Sequence, residues 1–143
     1  MRGIEVAECK LGLQEVKDRK KLMEFFKQYL IPGQEMLDPS TTPWCARFVG
    51  CCERAVGNKG TGRDNARSYL LYGTKVSLDQ AREGDIAVFT RGNSNWQGHV
   101  AYVVSHTSTD LTVLGGNQRD CVCKSVYSTE HLLSIRRPPN AVS

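Results

Sequence analysis

Apolar and polar positions recur along this chain with two different periods, and the change from one to the other falls near residue 85. Before it the spacing is helical. Residues 17–30 place Leu22, Phe25, Phe26, Tyr29 and Leu30 on one side and lysines opposite, which predicts an amphipathic helix ended by Ile31-Pro32-Gly33. In residues 41–57 a second apolar stripe is made by Phe48, Val49, Cys52, Ala55 and Val56. Thr42 is the expected N-cap of that helix, Pro43 its first residue and Gly57 its stop. Residues 66–72 predict a short helix stopped by Gly73, whereas residues 1–12 are weakly patterned.

From Asp85 onward the period is that of β-strands. Strands are expected at 86–89, 99–105, 111–114, 122–127 and 132–135, the third ending at Gly115-Gly116, with a single helical turn at 128–131. Helices first and strands afterwards predict an α+β domain with an antiparallel sheet. At 143 residues the chain suits a single domain, 1–143, with an N-terminal helical segment over about 1–33. No internal repeat is present, and the tail RRPPNAVS is expected to fray.

Composition narrows the function classes. Hydrophobic residues at 40% and charged residues at 24% are ordinary for a globular domain. A net charge of +4 suits a polyanionic partner, but no Lys/Arg run and no interleaving of basic with aromatic residues points to nucleic acid. No stretch approaches the roughly 18 apolar residues of a membrane span, so no transmembrane segment is expected. MRGIEVAECK has no apolar signal core, so synthesis in a cytoplasm is expected, with reduced thiols despite the six cysteines. Cys51 and Cys52 point apart on a helix, and Cys121 and Cys123 form a lone CxC, so no zinc site is expected. Asp38, Ser40 and Thr41 offer too few oxygen ligands for a cation. No metal or cofactor is expected.

The candidate chemistry starts at Cys45, at about the third residue of the second helix. There the positive end of the helix dipole lowers a thiol pKa, and the thiolate is the nucleophile. The competing reading is a small core residue on an apolar stripe. A cysteine nucleophile needs a base and a group that orients it. Of the three histidines, His106 and His131 suit surface turns, while His99 opens a strand directly after the loop GNSNWQG. If residues 107–109 form the hairpin loop, His106 faces Asp110, Val103 faces Val113 and His99 faces Asn117. Asn117 then accepts from one ring nitrogen while the other faces Cys45. Asp110 and Asp120 are runners-up, each more simply a turn residue. The two glycines before Asn117 are read as leaving room for a substrate backbone. Trp44, Trp96, Gln97 and Tyr102 are the candidate substrate-binding residues, the tryptophans serving equally well as packing. Gln97, or better the Cys45 backbone N–H, is a candidate oxyanion donor.

The ordered set TPWC-A-x-F-V, GTGxxxARSYLxYG, GDIAVF, WQGHVAYVV and VLGGNQ resembles the CHAP-type cysteine peptidases and amidases over about 42–138. It is most like the small single-domain form of phage endolysins and bacterial cell-wall hydrolases. The resemblance implies a papain-like core in which the nucleophile helix packs on an antiparallel sheet bearing the histidine. It implies Cys45 as nucleophile, His99 as base, Asn117 as third member, and cleavage of a peptidoglycan amide through an acyl-enzyme. Three positions depart from the pattern. Gly115 stands where many relatives carry an acidic residue, Arg47 where many carry a small one, and no acidic cluster is seen for the calcium that some relatives bind.

The expected function is therefore a monomeric peptidoglycan hydrolase, either an N-acetylmuramoyl-L-alanine amidase or a stem-peptide endopeptidase. The expected setting is a phage endolysin, made in the host cytoplasm and acting on the wall after release. The alternatives are an interbacterial effector or virion-borne wall amidase, a non-catalytic wall-binding domain, and a redox protein using Cys51-Cys52 or the CxC.

Overall fold

The computed structural model describes residues 1–139. Three α-helices come first: α1 (Gly3–Cys9), α2 (Arg19–Gln28) and α3 (Cys45–Ala55). Six strands follow: β1 (Thr74–Val76), β2 (Ile86–Thr90), β3 (Gly98–His106), β4 (Asp110–Gln118), β5 (Cys121–Ser128) and β6 (Leu132–Arg137). Short 3-10 helices occupy Ala66–Leu71, Leu78–Gln80 and Thr129–His131. The strands form one sheet in the order β1-β6-β2-β3-β4-β5, and every neighbouring pair is antiparallel. The fold is α+β, as the change of period predicts.

Strand alternation divides the core between the two faces of the sheet. Ile86, Val88, Val100, Tyr102, Leu114 and Val122 face the helices, where they meet Phe26, Trp44, Phe48 and Val49. Ala87, Phe89, Ala101, Val103, Val113 and Ile135 form a second cluster on the other face. Burial on both sides explains why these strands read as nearly continuous apolar runs.

Helix α3 begins later than its capping pattern predicts. Cys45 is its first residue and Trp44 its N-cap. Thr42 is held in the preceding turn instead, where Thr41 and Thr42 N–H both donate to the Asp38 carbonyl. The Asp38 carboxylate accepts from Ser40 and pairs with Arg19, so this turn is fixed from two sides. The C-terminus is as expected. Gly57 is left-handed, its N–H donates to Arg54 O at 3.1 Å, and Asn58 N–H donates to Glu53 O at 2.9 Å. These two bonds make a Schellman stop.

The weakly patterned start contains α1, whose buried face is only Gly3, Ile4 and Ala7, too short to give a period. The three-residue β1 was likewise unmarked, being largely exposed. Gly115-Gly116 does not end β4, which runs through to Gln118. The expected fraying does not reach Arg136 or Arg137. Arg137 pairs with the buried Asp85 carboxylate at 2.9 Å, and Arg136 donates to Tyr72 O at 2.7 Å. Residues 140–143 of that tail lie outside the described residues. Among the described residues no helix is long and apolar enough to cross a membrane.

The glycine pair has a packing role, which corrects the reading that it clears space for substrate. A Cβ on Gly116 would lie 2.5 and 2.7 Å from two ring carbons of Trp44 and 3.0 Å from Phe48 Cβ. One on Gly115 would lie 2.7 Å from Ala101 Cβ. Gly116→Ala should therefore overpack the α3–β4 contact and cost about 1–3 kcal/mol. Urea unfolding of the variant beside wild type would measure this; an unchanged midpoint would mean that Trp44 does not need the space.

Candidate functional site

His99 is the second residue of β3, buried to 8% exposure. Its ring lies 5.3 Å from that of Tyr127 and stacks at 6.5 Å on that of Phe89. Its Nε2 is 2.7 Å from Gln118 Oε1. The side chain that bonds the imidazole is thus Gln118, which corrects the expectation that it is Asn117. The expected register holds at Val103–Val113 and Tyr102–Leu114, but a shift between Val103 and Ser105 pairs His106 with Leu111 rather than with Asp110. What changes is the face. Asn117 is left-handed, with φ 59°, and the β4–β5 register slips by one between Gly115 and Gln118. The strand then closes in a two-residue turn, Arg119-Asp120, with both φ values positive. One left-handed residue interrupts the alternation and hands the imidazole to the next side chain. Asparagine tolerates this conformation better than most residues, which was the available signal.

The Gln118 amide also fixes the imidazole tautomer. Its Nε2 donates to the carbonyls of Cys123, at 2.5 Å, and Val113, at 3.4 Å. Its Oε1 is therefore the end that faces the ring, and it can only accept. His99 Nε2 must carry a hydrogen, which leaves the lone pair of neutral His99 on Nδ1.

Cys45 sits at the open end of α3, 4% exposed, with its sulfur near the Val100 N–H, one residue past His99. No hydrogen bond joins the thiol to the imidazole in this state. The two open into adjacent clefts. Cys45 lines one of about 430 Å³ with Thr42, Pro43, Asp64, Asn65, Trp96 and Gln97. His99 lines another of about 430 Å³ with Asn117, Tyr127 and His131. Arg91 belongs to both.

Of the expected substrate-binding residues, Trp96, 69% exposed, and Gln97 line the thiol cleft. Trp44 and Tyr102 do not, and those two expectations are corrected. Trp44 is fully buried against Phe26 and Phe48, with its Nε1–H donating to Glu15 at 3.0 Å. Tyr102 is fully buried and points from β3 towards α3, where its hydroxyl donates to Glu53 at 2.7 Å. Alternation along β3 put it on the helix face, away from the cleft.

Two arginines shape the cleft walls without a sequence signal of that role. Arg67 donates to Ser94 O at 2.8 Å and Gln97 O at 2.7 Å, clamping the loop that carries Trp96. Arg47, in the first turn of α3 and 2% exposed, holds Asp64 at the rim through bonds of 2.7 and 2.9 Å. Its departure from the expected small residue thus places a carboxylate at the cleft. Among the described residues no cluster of ligating side chains suits a metal ion.

Comparison with known protein families matches the CHAP domain to residues 37–117, more than half of the chain. The chain belongs to the CHAP family. This is a papain-like cysteine peptidase and amidase domain, and its members are generally hydrolytic. A comparison with curated proteins found no match. The matched span takes in Cys45, Trp96 and His99 and stops one residue short of Gln118.

Electrostatics in this CHAP domain oppose the thiol pKa expected from the helix terminus. Burial pushes the Cys45 thiol up from its ordinary value, and the N–H groups of Val100, Ala46 and Cys45, together with Arg91, do not offset it. The resting group is therefore a thiol rather than a thiolate. Burial also lowers His99 below the ordinary 6.5; the Gln118 bond works against this and Arg91 works with it. A lowered value means that the imidazole stays neutral to a more acid pH than usual. ¹⁵N NMR of His99 should show the Nε2–H tautomer, with a protonation midpoint lower than that of an ordinary histidine. In Gln118→Ala, loss of the acceptor should lower that midpoint further and mix the tautomers. A single unchanged tautomer in the variant would remove Gln118 from the orienting role.

Proposed function

We propose that this CHAP domain hydrolyses an amide bond of peptidoglycan through an acyl-enzyme, with Cys45 as nucleophile and His99 as base. The observation that carries the reading is the His99–Gln118 hydrogen bond, which leaves the Nδ1 lone pair free at the strand end where the Cys45 sulfur lies. Family membership supports the substrate class, since CHAP domains imply amidase or peptidase activity on peptidoglycan.

The steps follow from these protonation states. As Cys45 sulfur attacks the scissile carbonyl carbon, its proton passes to His99 Nδ1. Gln118 Oε1 holds the Nε2–H and so keeps the imidazolium in place. The Cys45 backbone N–H, free at the first residue of α3, is the donor for the developing oxyanion. When the C–N bond breaks, Nδ1–H protonates the departing amine. Water then gives a proton to Nδ1 and its oxygen to the acyl carbon, and the proton returns to sulfur as the thiol leaves. Trp96 and Gln97, on the clamped loop, are the side chains offered to the substrate. Asn117 lines the His99 cleft and has no part in holding the ring.

The biological setting we propose is that of a phage endolysin, made in the host cytoplasm and acting on the wall after release. The net charge of +4 supports attraction to an anionic envelope.

Purified peptidoglycan should release soluble fragments with wild type and none with Cys45→Ala, read by mass spectrometry. The fragment masses identify the bond. Gln118→Ala should lower kcat by about 100-fold, the scale of a misplaced general base, and Asn117→Ala by far less. Release by Cys45→Ala at the wild-type rate would overturn the mechanism.

A further inference from the structure

Arg91 follows the last residue of β2 and precedes the left-handed Gly92, so it stands on a turn at the end of a central strand. Three cavities meet at its side chain. These are the cleft of Cys45, that of His99, and a third of about 200 Å³ lined by Glu15, Pro39, Pro43 and Asn117. Arg91 is exposed, and among the described residues its guanidinium makes no hydrogen bond and no ion pair. The two carboxylates lining these cavities are already engaged. Asp64 is held by Arg47, and Glu15 accepts from the Trp44 indole. A planar cation with all its donors free thus stands where the thiol and imidazole clefts join.

We propose that Arg91 determines substrate specificity by binding a free carboxylate of the stem peptide, the α-carboxylate of its second residue. The inference rests on the peptidoglycan reading above. A guanidinium presents paired donors that match the two oxygens of a carboxylate, and a neutral amide in the same place offers only one acceptor. The second residue of a stem peptide is joined onward through its side-chain carboxyl, so its α-carboxylate is free. It lies one residue beyond the sugar–L-alanine amide and directly beside the next stem bond, within reach of the site for either cleavage.

The placement also bears on catalysis. An unneutralised cation disfavours the imidazolium that His99 must become, in line with the direction in which Arg91 moves His99. A substrate carboxylate on Arg91 removes that opposition in the bound complex. An anionic substrate is then both held and assisted, whereas an amidated one is neither.

The test uses cross-linked muropeptide dimers that differ only at the second stem residue, D-glutamate in one and D-isoglutamine in the other. Wild type, Arg91→Gln and Arg91→Lys are compared on both. Wild type should prefer the free acid by about 10- to 100-fold in kcat/KM, the scale of a charged hydrogen bond. Arg91→Gln should bring the ratio of the two substrates towards one, with most of the change in KM for the acid, and Arg91→Lys should give an intermediate ratio. Equal cleavage of both forms by wild type, or a wild-type ratio in Arg91→Gln, overturns the inference while leaving the hydrolase reading intact. Failure of wild type to cleave either form overturns the hydrolase reading and this inference with it.

Discussion

The ring of Trp44 fills the space that a side chain at position 116 would need, and the site depends on that contact. Trp44 is the N-cap of α3, so its carbonyl accepts the first helical bond, from Phe48 N–H at 2.9 Å. Seating the ring on Gly116 therefore seats the first turn of the helix, and Cys45 with it, against β4. Two residues further along the same strand stands Gln118, which holds the imidazole. The thiol and the orienting amide are thus referred to one piece of backbone. A fully buried indole packed against Phe26 and Phe48 resists sliding, because any shift opens a void or a clash in a close-packed interior.

The far end of α3 is fixed by polar contacts. Glu53 is fully buried, and its carboxylate accepts from Tyr102 at 2.7 Å, Tyr72 at 2.8 Å and Asn58 at 3.0 Å. Three donors are what a buried carboxylate requires in place of water. The phenols are held protonated by burial and by this carboxylate, so they remain donors. Gly3 of α1 comes close to the same group, and a Cβ there would collide with Glu53 and the Tyr102 hydroxyl. The bond from β3 to α3 ties the strand of His99 directly to the helix of Cys45, about 12 Å along that helix from Cys45 at 1.5 Å per residue.

Charge around the reacting groups follows from burial more than from the helix terminus. Both Cys45 and His99 are driven towards their neutral forms. On the proposed mechanism such a pair rests as thiol and imidazole, and the proton moves only during attack. This places weight on the tautomer, since only a neutral ring with its lone pair on Nδ1 can take the proton. The Gln118 amide secures that through its own commitments to Cys123 O and Val113 O.

Much of this was legible in residue order. The period change near residue 85 gave the α+β layout, and the apolar stripe of α3 and the strand opening at His99 marked Cys45 and His99, which the structure sets at neighbouring clefts. The side chain expected on the imidazole was Asn117 rather than Gln118 because period-two alternation cannot be read through a left-handed residue, and Asn117 is one. Trp44 and Tyr102 are aromatic residues next to site residues, a description that fits a cleft wall and a core anchor equally; only the side they face separates the two. Arg67, Arg91 and Asp64 had no local signature, since each acts across a gap in sequence: Arg67 on the 94–97 loop, Asp64 through Arg47, Arg91 between cavities drawn from several elements. The sequence by itself determined most of the elements, their order and the two residues, Cys45 and His99, that open into adjacent clefts, because these depend on local period and composition. The tertiary structure decided which amide holds the histidine, which aromatics line the clefts and what charge faces them, because those depend on the direction of side chains brought together from distant segments.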